Sequence, residues 1–217
     1  ALNNAETKEE RDSIKRIAQD YTKRSSVNFT NVRKQKMQGQ PRFYDLANWN
    51  ASYAYSASEH RDVNTEYDIR NRHRGALNYN FNTRPKNVTP FAKANVFNSP
   101  HLRLLKDMNF YFYPSRFTFR TDMNRNYAER KIRNLANPGI KIDTIVTKNF
   151  IWNRYYDLQV DLTRALKFDF SATNTSRIDE PEGVLRTGEG DYEEKRDSLW
   201  REIFTLGRNV RYNHNFN

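Results

Sequence analysis

Long stretches of this chain alternate apolar and polar residues with a period of two, and that alternation narrows the fold more than any other feature. Over 47–57 the odd positions read Ala47, Trp49, Ala51, Tyr53, Tyr55 and Ala57, while Asn48, Asn50, Ser52, Ala54 and Ser56 fill the even ones. Over 67–82 the odd side carries Tyr67, Ile69, Leu77, Tyr79 and Phe81, and the even side Asp68, Arg70, Arg72, Arg74, Asn78, Asn80 and Asn82. Successive side chains of a strand point to opposite faces, so each stretch makes one aromatic face and one wet face. Strands this long, oily on one side and hydrophilic on the other, suit a barrel wall between lipid and water.

Bulk composition hides the pattern. Mean hydropathy is −1.02, which leaves little for a soluble core, yet aromatics reach 14%, too many for simple disorder. Alternating strands reconcile the two, because the faces cancel in the average. The net charge of +11 points to a solvated basic surface or to an anionic partner, nucleic acid or lipid headgroups. The absence of cysteine removes disulfides and thiolate metal sites. No apolar run approaches the ~18 residues of a spanning helix. The first ten residues are polar and acidic rather than a secretory signal, so an outer-membrane location implies an internal piece of a longer protein or a signal already removed.

The punctuation divides the chain into four parts. Residues 1–24 form a charged helical segment, with Thr7 and Glu10 as a capping box and Ile14, Ile17, Ala18 and Tyr21 at helical spacing over 7–22. Antiparallel strands and loops fill 25–177. Strands are expected at about 25–32, 47–57, 67–82, 104–113, 116–130, 149–162 and from 166. An acidic turn and a helix over 192–206, ended by Gly207, occupy 178–208, and 209–217 begins a further strand. All seven prolines fall between these elements. Short connections (114–115, 163–165) and long ones (83–103, 134–148, 178–208) alternate loosely, as outer-membrane barrels do with short periplasmic turns and long outer loops; by that rule 178–208 lies outside. The expected architecture is mainly β: an antiparallel transmembrane β-barrel wall segment of about seven or eight strands, with long loops and two short charged helices.

The residues that define the two faces are the candidate functional set. Arg70, Arg72, Arg74, Asn78, Arg120, Asp157 and Asp161 are expected to face a watery lumen. Trp49, Tyr53, Tyr55, Tyr79, Phe81, Phe117, Phe119, Trp152, Tyr156 and Leu158 are expected to face lipid. The arginine row, its members about 7 Å apart along the strand, reads either as a lumen wall or nucleic-acid track, or as a solvated sheet face paired with Asp68 or Asp157. The ring rows read either as membrane belts or as the core of a soluble sandwich; strand length favours the membrane. The acidic cluster over 179–194 lacks the spacing of a calcium loop, and the four histidines show no ligand spacing. Asn-x-Ser/Thr triplets at Asn28, Asn50, Asn87 and Asn174 fit chance in an Asn-rich chain. No phosphate loop, dinucleotide fingerprint or nucleophile elbow is present, so neither an enzyme nor a cofactor is expected.

Several runs resemble one family. They are 7–14 (TKEERDSI), 18–24 (AQDYTKR), 29–34 (FTNVRK), 53–56 (YAYS), 75–80 (GALNYN), 150–158 (FIWNRYYDL), 178–183 (IDEPEG) and 195–200 (KRDSLW). In number and order they are similar to the SprA (Sov) family, the gliding-motility and type IX secretion translocons of Bacteroidetes. The likeness extends over essentially the whole chain and a small internal part of that family's very long polypeptide. It implies a large barrel in the cell outer membrane that passes folded cargo proteins to the surface, with a side opening, a PorV-like partner barrel and a plug protein. The cargo carries a C-terminal signal domain. The resemblance brings no active site, and nucleic acid is not among the expected partners. Two alternatives stay open: another outer-membrane barrel, such as a nutrient receptor or lipopolysaccharide exporter, and a soluble basic β-sheet module for RNA or polysaccharide.

Overall fold

The computed structural model describes residues 7–35, 42–92, 107–137, 139–185, 188 and 190–217. An α-helix, α1 (Lys8–Ala18), precedes strand β1 (Tyr21–Val32). A 3-10 turn at Leu46–Asn48 leads into β2 (Trp49–Arg61), and β3 (Thr65–Asn82), β4 (Arg116–Ile132), β5 (Ile145–Asp161) and β6 (Lys167–Ile178) follow. A second helix, α2 (Tyr192–Phe204), separates β6 from β7 (Arg208–Phe216). The seven strands form one antiparallel sheet in sequence order, β1 to β7. Among the described residues β1 and β7 each pair on one side only. The sheet is therefore open, and barrel closure is not a property of this chain by itself.

The elements differ from the sequence expectation where two periods compete. Ile17, Ala18 and Tyr21 fit a helical repeat, but Tyr21 opens β1 and pairs with Arg61 of β2. Its alternation with Lys23, Ser25 and Val27 wins because β2 offers a ladder partner. The strand boundary thus falls at Tyr21, not at residue 25. β5 begins at Ile145, four residues before the strand expected at 149. The strand expected over 104–113 does not form within its described part, 107–113. Only an isolated bridge, Val88 to Phe110, occurs there, and 104–106 lie outside the described residues. Rings at Phe110, Tyr111, Phe112 and Tyr113 give neither face a consistent polarity, so no register is selected.

Connection lengths do not sort by end either. One end of the sheet carries 62–64, 133–144 and 179–207; the other carries 33–48, 83–115 and 162–166. Each end has one tight turn and two long connections. In the 62–64 turn, the Asp62 carboxylate accepts the Asn64 amide at 2.8 Å and the Thr65 amide at 2.5 Å. The Thr65 amide bond above all holds that carboxyl below its ordinary range.

The small core sits where α2 lies on the sheet. Phe150, Ile178 and Leu199 are buried together, with Met123, Trp152 and Ile203 against them. Asp191 precedes the helix and pairs with Lys195 at 2.8 Å. The C-terminus of α2 is a two-bond cap: the Gly207 amide donates to Glu202 at 3.0 Å and the Leu206 amide to Ile203 at 3.1 Å. Leu206 takes φ 65°, and Gly207 follows at the same φ. A Cβ at Gly207 would stand 2.6 Å from the Arg177 carbonyl oxygen and 2.6 Å from Ile178 Cδ1. Gly207→Ala therefore adds a left-handed penalty and a backbone clash, a loss of at least ~2 kcal/mol. The expected result is a lower urea midpoint by tryptophan fluorescence, with Trp152 beside the site reporting it; an unchanged midpoint would contradict this close approach.

Candidate functional site

The register assembles the two faces across the sheet. One cross-strand row reads Trp49, Tyr79, Phe119, Tyr156, Ala172 and His214. The next reads Phe81, Phe117, Leu158, Phe170 and Phe216. Ring contacts run along them: Trp49 to Tyr79 at 4.9 Å, Phe119 to Tyr156 at 5.1 Å, Phe170 to Phe216 at 5.0 Å. On the reverse side run Ser56, Arg72, Asn126 and Asn149, and Asn50, Asn78, Arg120, Tyr155, Thr173 and Asn213. All ten of the apolar candidates lie on the first face, and all seven hydrophilic candidates on the second.

The hydrophilic face is open and largely self-neutralising in places. Arg70 binds Asp68 through Nε at 2.9 Å and Nη2 at 2.8 Å. The Arg72 Nε donates to Asn126 at 2.7 Å, and Arg120 pairs with Asp122 at 2.9 Å. Arg74 makes no ion pair among the described residues. Asp157 is exposed and Asp161 half-buried at the far end of β5. The arginine row is thus neither a uniform cationic track nor fully paired, and amides and hydroxyls supply most of the surface. Among the described residues no His/Cys/Asp/Glu group is arranged to hold a metal ion.

The ring face is divided, which alternation alone did not indicate. Over the half nearer Trp49, Phe117 and Leu158, most side chains remain exposed or half-exposed, and the buried rings are Tyr79 and Phe81, with the small Ala172 buried beside Tyr156. Phe43, from the connection between β1 and β2, covers those two rings, with its own ring 5.7 Å from Tyr79 and 5.4 Å from Phe81. The Tyr79 hydroxyl donates to the Phe43 carbonyl. Over the other half, charge enters the face and the connection between β6 and β7 folds onto it. Arg125 holds Glu180 through Nε at 2.9 Å and Nη2 at 2.5 Å, and the Lys148 ammonium donates to the Pro181 carbonyl. Leu199 and Ile203 of α2 lie on Phe150 and Trp152.

Arg154 marks the border between the halves. In the sequence it only interrupts the apolar run of β5. In the structure it is 6% exposed, and it donates to Asn174 Oδ1 at 2.5 Å and Ser176 Oγ at 2.7 Å. Its guanidinium lies 4.9 Å from the Trp152 ring centroid. Asn174 and Ser176 are tied in turn to Asn209 at 3.0 and 2.9 Å. The cation is thus held by neutral acceptors and a ring, with no carboxylate among the described residues. The only sequence sign of this knot was polar residues, Asn174 and Ser176, in phase with Phe170.

Searches with protein-family models and against curated proteins gave no match.

Truncating Arg154 to Ala removes a buried hydrogen-bonded group and leaves its acceptors facing a cavity. A loss of ~1–3 kcal/mol is expected, read as a lower unfolding midpoint. Arg154→Lys should recover only part, because one ammonium cannot reproduce the fork and the ring contact. Full recovery by Lys would show that charge alone matters there.

Proposed function

We propose that this chain is a stretch of wall in an outer-membrane, protein-conducting β-barrel. The observation that carries the reading is the separation of the ten apolar and seven hydrophilic candidates onto opposite faces of long strands whose outer edges are free. Soluble monomers rarely expose apolar patches beyond a few hundred Å². Two to three rows of mostly apolar side chains over five strands cover roughly 300–500 Å² in projection. Hydrocarbon is the solvent that suits such a surface, and the paired ladder meets its demand that backbone groups be satisfied internally. Further strands at the β1 and β7 edges complete the wall, since an odd set of seven does not close a bacterial barrel.

Strand length supports a particular placement. The 18 residues of β3 extend ~60 Å, or ~45 Å across a bilayer at a usual tilt, against a hydrocarbon core of ~30 Å. Roughly 15 Å must stand beyond the lipid. The end where Arg125, Lys148 and α2 occupy the ring face is the end that projects, and the outside of the cell is where long extensions lie. The runs resembling the type IX translocon family favour a channel for folded cargo over a nutrient receptor or lipopolysaccharide exporter. In that reading the partners are a PorV-like barrel, a plug protein and cargo with a C-terminal signal domain. A lumen of amides, hydroxyls and part-paired arginines offers passing protein little apolar surface to adhere to.

The chain has no cysteine, so single replacements report cleanly. In the membrane-embedded protein, Arg72→Cys and Arg74→Cys should react quickly with a water-soluble maleimide. Phe119→Cys and Tyr156→Cys should react only after detergent is added. Equal labelling of both pairs before detergent rules out the wall.

A further inference from the structure

At the end of the sheet away from α2, residues of 42–44, 81–88 and 112–116 line an open cleft of about 1290 Å³. It straddles the rim: Phe43 and Phe81 border it from the ring face, Asn82 and Gln159 from the hydrophilic face. Arg42, Arg84, Lys86 and Arg116 line it, all four exposed. Among the described residues no carboxylate lines the cleft and none of the four cations makes an ion pair. Arg42 instead donates to the Tyr44 hydroxyl at 3.0 Å. The carboxylate of Asp45, in the same connection, accepts the Arg42 backbone amide at 2.8 Å. Phe112 and Tyr113, 71% and 68% exposed, stand at the cleft with the cations.

Elsewhere Arg70, Arg120, Arg125 and Lys195 each have a carboxylate, and Arg72 and Arg154 have amide or hydroxyl acceptors, but no other pocket of the described residues gathers four cations without a carboxylate. Four unpaired cations gathered with bare rings call for an anionic ligand that also has an apolar part. The cleft is continuous with the open half of the ring face through Phe43 and Phe81. If that half meets hydrocarbon, the rim lies where acyl chains give way to phosphates. Rings suit that depth, and each Lys or Arg there attracts anionic headgroups.

We infer that this cleft binds the phosphodiester headgroups of anionic phospholipids and so fixes the depth of the wall in its membrane. The inference rests on the wall reading above and deepens it. Arg42, Arg84, Lys86 and Arg116 take the phosphate, with Arg forks suited to two oxygens at once. Phe112 and Tyr113 rest among the glycerol and upper acyl groups.

The test uses the complete barrel to which this wall belongs, with the strands that flank its edges, and two kinds of vesicle, phosphatidylcholine alone and equal parts phosphatidylcholine and phosphatidylglycerol. Flotation reads membrane insertion, and native mass spectrometry after mild detergent extraction reads retained lipid. The expected result is insertion into both, with phosphatidylglycerol retained over phosphatidylcholine. The fourfold variant R42Q/R84Q/K86Q/R116Q should insert as before but retain about tenfold less phosphatidylglycerol. The charge-preserving R42K/R84K/R116K should keep most of the retention, which separates lost charge from lost fold. Insertion with equal retention of both lipids overturns the cleft and leaves the wall standing. Surface binding to phosphatidylglycerol vesicles that needs the four cations, without insertion, supports the cleft and removes the wall. Binding to neither vesicle removes both. Displacement of the lipid by a single-stranded oligonucleotide or an acidic peptide at equal concentration also overturns the lipid assignment.

Discussion

Strand register is the constraint on which everything else in this molecule depends. Side chains alternate with a period of two, so a slip of one residue in any strand would exchange its rings for its amides and arginines. Six successive antiparallel pairings hold that parity from β1 to β7. Where parity would fail, an extra residue restores it. Phe29 pairs with Tyr53 and Val32 with Ala51, so a bulge brings two apolar residues three apart onto one face. Asn31 takes φ 55° there and is held by Ser52 Oγ at 3.2 Å and Asn50 at 2.8 Å. A second bulge lies between Thr65 and Tyr67, and a third between Thr175 and Ser176 against β7.

What could be read from the residues follows from this. Over Trp49–Arg61 and Thr65–Asn82 the alternation is strong enough to assign both element and face from the sequence, and the hairpin between them is tight. The α2 stripe read from the sequence, Leu199, Trp200, Ile203 and Phe204, holds only in half, since Leu199 and Ile203 pack on the sheet while Trp200 and Phe204 stay exposed; the glycine stop was legible, although it uses Leu206 as well as Gly207. The failures have a common cause. Phe43 lies in a Gly- and Pro-flanked stretch with no period of its own, so nothing local shows that it covers Tyr79 and Phe81. Arg125 and Glu180 are 55 residues apart, and only the folded connection brings them together. Bulges appear in the sequence as lost phase, which looks the same as the end of a strand.

The division of the ring face also explains why its rows are not equally oily. Apolar side chains continue along β5 on both sides of Arg154, but the environment changes there. On one side Tyr156 and Leu158 stay part-exposed. On the other, Phe150 is roofed by Leu199, and the charges of Arg125 and Lys148 are answered by Glu180 and Pro181. A buried ion pair costs desolvation and returns it only with good geometry. The two-pronged Arg125–Glu180 contact has that geometry, and it needs a covering segment to keep water away. Such a segment belongs on a strand end that stands clear of lipid. On the half proposed to face lipid it would compete with acyl chains for the same surface.

The open edges complete the physical picture. β1 and β7 are mostly exposed along their length and present unpaired backbone groups. Natural sheets blunt such edges with charge, proline or short strands. β1 places Lys23 and Arg24 near one end but Val27, Phe29 and Val32 at the other, and β7 offers Val210, Tyr212 and Phe216. In each strand the apolar residues exposed at the edge include members of the ring face. An edge guarded against pairing would carry charge there instead. In the proposed wall further strands join these edges, and each added strand extends the ring face on one side of the sheet and the hydrophilic face on the other.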